Sequence, residues 1–180
     1  MLSVFMAGKE TVMVESGAMR SSDASHSSQY SATVTWHVAP GATFSPGSYN
    51  RDHEWTFPGG EVVPASASPH YQGTASRVNP EEALISALAS CHMLTFLALA
   101  AKKKLRVLSY LDRASGVLDR NAQGNIAITE VTLRPRVVFA DDTTPDEATL
   151  RALHEDAHQH CFIANTLNAR MLLEPEIPRF

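Results

Sequence analysis

Asn79-Pro80-Glu81-Glu82-Ala83-Leu84-Ile85-Ser86-Ala87-Leu88-Ala89-Ser90-Cys91-His92-Met93 is the stretch on which the fold turns. Asn79 is a good helix cap, Pro80 suits the first helical position, and Glu82 stands where it can reach back to the cap. The spacing predicts a helix from Pro80 to about Lys103. On a wheel of 3.6 residues per turn, Leu84, Leu88, Cys91, Thr95 and Ala98 fall along one stripe, so Cys91 is expected mid-helix with a largely buried thiol. The run from Ala83 to Ala101 is long and apolar enough to pass a crude test for a membrane span. Its many alanines and its interruptions at Ser86, Ser90, His92 and Thr95 favour an enclosed core helix, and no membrane partner is expected.

Working outward, Tyr30, Ala32, Val34, Trp36 and Val38 alternate with polar residues, which is the two-residue period of a half-buried strand. Pro40-Gly41 and Ser45-Pro46-Gly47 punctuate a loop. The alternation resumes over Tyr49–Phe57, and Pro58-Gly59-Gly60 turns into a short strand at Glu61–Val63, completing an antiparallel meander. Tyr49, Arg51, His53, Trp55 and Phe57 share a face. Arg51 there either lays its aliphatic stem along the sheet and sends its guanidinium to water, or is a desolvated cation facing an anion.

Beyond the helix, Arg106–Leu118 and Ile126–Phe139 read as strands joined through a turn at Asn121–Gly124. Thr144-Pro145-Asp146-Glu147 reads as a second capping box opening a helix to about His160, and Ala169–Leu173 as a closing strand. Strands, a helix, strands and a helix without βαβ alternation give an α+β fold, and without a phosphate-binding glycine loop no nucleotide cofactor is expected. The organisation expected is a loose arm over residues 1–28, with no signal-peptide pattern, and a single domain over residues 29–180. A formal charge of −4 offers no basic surplus for nucleic acid.

The chain has two cysteines, Cys91 and Cys161, seventy residues apart. They can meet only through the fold. In a chain expected to be cytoplasmic, two thiols point first to redox or metal chemistry, although an isolated buried cysteine is more often packing. Arg51, its fork held by Glu81 or Glu82, is the inward cation able to stabilise a thiolate at Cys91. His154, His158 and Cys161, at i, i+4 and i+7, would share a face of a continuous helix and form a candidate zinc site. The same histidines also fit solvated residues at a helix end.

These motifs, Asn79-Pro80-Glu81-Glu82 with a cysteine ten residues after Glu81 and Ala157-His158-Gln159-His160-Cys161 with Asn165-Thr166-Leu167 following, resemble the OsmC/Ohr family of thiol peroxidases. The resemblance covers roughly Tyr30 to Pro175. It implies an OsmC-like fold, with antiparallel sheets packed around a buried central helix carrying Cys91, in an intertwined homodimer whose sites lie at the subunit interface. It implies reduction of organic hydroperoxides without a cofactor and regeneration by a dithiol reductant. Carried over by position, Cys91 is the peroxidatic residue, Cys161 resolves its sulfenic acid as a disulfide, Arg51 is the arginine and Glu81 its partner. His92, where better-known branches have a bulky apolar residue, marks a separate Cys-His-Met subfamily and is expected to pack and hydrogen-bond. Two other readings stand beside this one: a non-catalytic binder of hydrophobic ligands on the same fold, and the zinc site at His154, His158 and Cys161.

Overall fold

Three short strands open the folded part of the chain: β1 (Thr33–Thr35), β2 (His53–Thr56) and β3 (Val62–Ala65) form an antiparallel sheet in the order β1-β2-β3. The computed structural model describes residues 27–176, and the compact unit that holds every strand and helix named below begins at Ala32. The arm expected over residues 1–28 lies outside the described residues except for its last two. The meander is present, but its first two strands are shorter than the alternation predicts, and the third runs over Val62–Ala65 where Glu61–Val63 is expected. Only Thr33–Thr35 of the first run and His53–Thr56 of the second pair, with Val34 opposite Trp55 and Trp55 opposite Val63. The flanks are held instead by side chains: the Trp36 indole donates to the Asn50 carbonyl at 2.7 Å, and Trp36, Phe44 and Tyr49 cluster with ring centroids 5.4–6.4 Å apart.

A looped segment leads from β3 to the long helix, closed on itself by bonds from Ser66 N to Val78 O and from Thr74 N to Ser66 Oγ. Helix α1 spans Pro80–Lys102 and begins as expected, with Asn79 accepting from Glu82 N and the Glu82 carboxylate accepting from Asn79 N. Its rotation differs from the wheel reading. The buried line is Leu88, His92, Phe96 and Ala100, so Cys91 is half-buried and His92 is the enclosed residue. The cause lies in the composition: a helix apolar on every side has no polar face to say which side turns inward. Nor is α1 fully enclosed within one chain. Only 22% of its most apolar window is buried, and Leu94 is 62% exposed.

Four strands follow: β4 (Val107–Asp112), β5 (Ser115–Arg120), β6 (Ile126–Leu133) and β7 (Pro135–Phe139). The two long strands expected from sequence are thus each broken, at Arg113-Ala114 and at Arg134. The breaks let β4 pair with β7 in one sheet while β5 and β6 form the hairpin around Asn121–Gly124 in another. Helix α2 runs from Glu147 to Gln159, capped by Asp146, whose carboxylate accepts from Thr149 N at 2.8 Å. The cap is therefore two residues later than the Thr144 box predicts, and Pro145 stands ahead of the helix instead of in its first turn. Strand β8 (Arg170–Leu173) adds to β6 in parallel, a correction to the expectation of wholly antiparallel sheets.

The core lies in two clusters along α1. One gathers Phe96, Ala100, Val137, Phe139, Leu150, Leu153 and Ala157; the other gathers Leu88, Val131, Leu133 and Cys161, with Cys91 packed against it. Helices and sheets sharing such a core make the α+β class expected from sequence.

Candidate active site: a cysteine pair beside a buried histidine pair

Cys161 follows the last turn of α2. The chain leaves the helix through bonds from His160 N to Asp156 O and from Cys161 N to His158 O, and turns inward so that Cys161 is fully buried. There its thiol lies in the cluster against which Cys91 packs, close enough for that sulfur to perturb it. Burial, and then the neighbouring Cys91 sulfur, push the Cys161 thiol up to about 11, against a smaller pull from the Ala164 N–H, 3.4 Å from the sulfur. Cys161 is therefore a neutral thiol beside a less buried partner, Cys91.

The structure does not bring Arg51 to this pair within one chain. The Arg51 guanidinium donates to the Tyr49 carbonyl at 2.6 Å and lies 4.2 Å from the centroid of the Tyr49 ring. Glu81 holds no ion pair with it, and the buried Oε2 of Glu81 has no hydrogen-bond partner among the described residues. Of the face read from alternation, Tyr49, Arg51 and His53 line one groove with Val34, Trp36 and Phe44, which reaches Pro80 at the start of α1 and has a volume of about 560 Å³; Trp55 and Phe57 do not line it.

The zinc reading fails on geometry. It needs α2 to continue through Cys161, but the helix ends at Gln159. His154 points to α1 and Cys161 to the second core cluster, and among the described residues no three His, Cys, Asp or Glu side chains converge as a metal site.

What sequence reasoning missed is the partner of His92. His92 and His154 are each 1% exposed, with His92 Nε2 3.2 Å from His154 Nδ1, and the rings are 6° from parallel. His154 also stacks on Phe96 at 4.4 Å. The expectation that His92 packs and hydrogen-bonds is met, and the only signal for its partner was a histidine on the apolar face of α2. Burial, assisted by His158, lowers His92 to about 4; burial, assisted by His92, lowers His154 to about 3. Both rings are neutral at pH 7. Since the unfolded chain takes up these protons near pH 6.5 and the folded chain does not, the stability they contribute is complete above that pH and is lost as pH falls towards 4. Urea unfolding at stepped pH is expected to show stability falling by up to about 1.4 kcal/mol per pH unit for each ring. A curve flat from pH 7 to 5 would contradict their burial as neutral groups.

A family model described as OsmC-like protein matches residues 73–176. The chain belongs to the OsmC-like family. An OsmC-like protein of unknown function from Vibrio cholerae is 42% identical and superposes with a TM-score of 0.81 over 83% of this chain and all of that one. An organic hydroperoxide resistance protein from Elizabethkingia anophelis shares the fold at 17% identity, with a TM-score of 0.63 over 84% of this chain and 99% of that one. The uncharacterized protein YmaD of Bacillus subtilis is 24% identical over 129 residues, 71% of this chain and 85% of that protein. The OsmC-like match takes in both cysteines, the capping box and the histidine pair. The groove residues Trp36, Phe44, Tyr49 and Arg51 lie before it.

Proposed function

We propose that this OsmC-like protein is a cytoplasmic thiol peroxidase that reduces organic hydroperoxides, working as a homodimer. The observation that carries the reading is the contact between Cys91 and Cys161, brought together from seventy residues apart. The Cys91 thiolate attacks one oxygen of the O–O bond and forms a sulfenic acid, while the other oxygen leaves as an alkoxide and is protonated to the alcohol. The Cys161 thiol then displaces hydroxide from that sulfenic acid, giving a disulfide and one water. A small or protein-bound dithiol reduces the disulfide by exchange. Membership of a family that includes proteins named for organic hydroperoxide resistance supports the assignment.

Arg51 and Glu81 take their roles in the dimer. Among the described residues, a buried carboxylate oxygen without a partner, a guanidinium without an acid and an apolar face of α1 left uncovered are the features expected when a second copy completes the site. Paired there with Glu81, Arg51 steadies the Cys91 thiolate and the charge growing on the leaving oxygen.

One equivalent of cumene hydroperoxide is expected to remove two hydrogens from the intact mass, with peptide mapping placing a Cys91–Cys161 crosslink. The aromatic groove favours a second reading, a hydrophobic ligand binder without turnover. For that protein, the mass after peroxide stays unchanged.

A further inference from the structure

Two imidazoles enclosed side by side are a costly way to fill a helix crossing. Each ring uses one nitrogen for the other and leaves one buried without a partner among the described residues, Nδ1 on His92 and Nε2 on His154. Leucine at either position would fill the space without that cost. What leucine lacks is direction: apolar contact is indifferent to small slides, whereas a hydrogen bond fixes both separation and angle. Buried polar pairs are best attested in this role, setting the register of packed helices.

Their position gives the bond something to set. Along α1, His92 lies one turn after Leu88 of one core cluster and one turn before Phe96 of the other, directly beside Cys91. Along α2, His154 sits between Leu150 and Leu153 on one side and Ala157 on the other, seven residues before Cys161. Among the described residues it makes the one side-chain hydrogen bond that joins α1 to α2. Between His154 and Cys161 the backbone is locked by the remaining turn of α2 and by the bonds that turn the chain inward. A slide of α2 along α1 therefore moves the Cys161 sulfur with it. A disulfide tolerates Cα separations over a range of only about 2.4 Å, so a slip of about 1.5 Å, one residue's rise, takes up more than half of it.

We propose that His92 and His154 are positioning residues: their hydrogen bond braces α1 against α2 and holds Cys161 in register to form a disulfide with Cys91. The inference rests on the thiol-pair reading and does not depend on peroxide being the oxidant.

The test equilibrates the full chain in glutathione redox buffers, where Cys91 and Cys161 give up two hydrogens and one glutathione disulfide becomes two glutathiones. His92→Leu is expected to lower the equilibrium constant for the Cys91–Cys161 disulfide at least tenfold, while the thermal midpoint of the reduced protein holds or rises. His92→Gln, whose amide nitrogen replaces Nε2, and His154→Asn, whose amide replaces Nδ1, are expected to return it to within about threefold of wild type. A merely structural role would instead lower stability and disulfide formation together, without rescue by the amides. An unchanged constant in a folded His92→Leu protein overturns the brace. Should the leucine variant not fold, ¹⁵N-histidine spectra of the wild type decide: coupling between His92 Nε2 and His154 Nδ1 is expected in both reduced and oxidised protein, and its absence from either overturns the proposal. A wild type that oxidises with glutathione but ignores cumene hydroperoxide would remove the peroxidase and leave the brace; one that forms no Cys91–Cys161 disulfide would remove both.

Discussion

Cys91→Ser is expected to lower hydroperoxide consumption by roughly a thousandfold or more while leaving the fold intact. The substitution exchanges one sulfur for oxygen at a half-buried position, so the packing loss is small. Its chemical cost is large, because a serine hydroxyl at neutral pH offers almost no anion to attack the O–O bond. Cys161 cannot take over. Burial, the main cause that pushes its thiol up, persists in the variant, and the residue is wholly buried, out of reach of a peroxide in solvent. Cys161→Ser separates the two sulfurs' tasks: the first attack proceeds, and the sulfenic acid at Cys91 persists long enough to be trapped by a diketone reagent. Consumption measured with excess dithiol distinguishes the cases. If Cys91→Ser kept a tenth of the wild-type rate, the attacking sulfur would have to be assigned elsewhere and the proposed reaction abandoned.

How much of this was legible depends on whether the determining signal is local. The entrance to α1 was, because Asn79, Pro80 and Glu82 act on one another across a single turn, and the structure contains the reciprocal bonds they imply. The hairpin around Asn121–Gly124 was legible for the same reason, with Gly124 taking a positive φ of 81° that its turn requires. The rotation of α1 was not. Moving the buried line from Cys91 to His92 is a matter of about 100°, which a helix without a polar face does not encode and which its partners across the chain decide. The parallel pairing of β8 with β6 likewise depends on a segment forty residues away in sequence, where Arg170 meets Glu130. The zinc trio erred by extending helical spacing two residues past the last turn of α2. The cysteine pair was recoverable only as a demand that two distant residues meet, and the histidine bridge only as a histidine on the apolar face of α2, since nothing in either helix names its partner.

The largest effect on stability is expected at Gly73. Glycine to alanine usually stabilises slightly, by about 0.4–1 kcal/mol, because the unfolded chain loses freedom. At Gly73 that gain is overwhelmed: a methyl there would lie 2.9 Å from Ala67 Cα and closer still to the Ala67 carbonyl. The obstacle is backbone, so no rotamer change relieves it, and the loop between β3 and α1 must open. Opening strains the bonds that close it, from Gly73 N to Ser68 O, from Thr74 N to Ser66 Oγ and from Ser66 N to Val78 O, each worth about 1 kcal/mol net. It also shifts Ser66 and Ala67, which line the aromatic groove, and so loosens the seam between the Arg51 sheet and the cap of α1. A loss of about 3–4 kcal/mol follows. Gly116→Ala is the control, since its methyl meets the Cδ1 atom of Ile85 at 2.7 Å, the free end of a side chain able to turn away at a cost of about 1 kcal/mol. Chemical denaturation of the two variants side by side should separate them by at least about 2 kcal/mol. Equal losses would mean that the Ser66–Thr74 loop yields as readily as one isoleucine, and that the groove is not held by it.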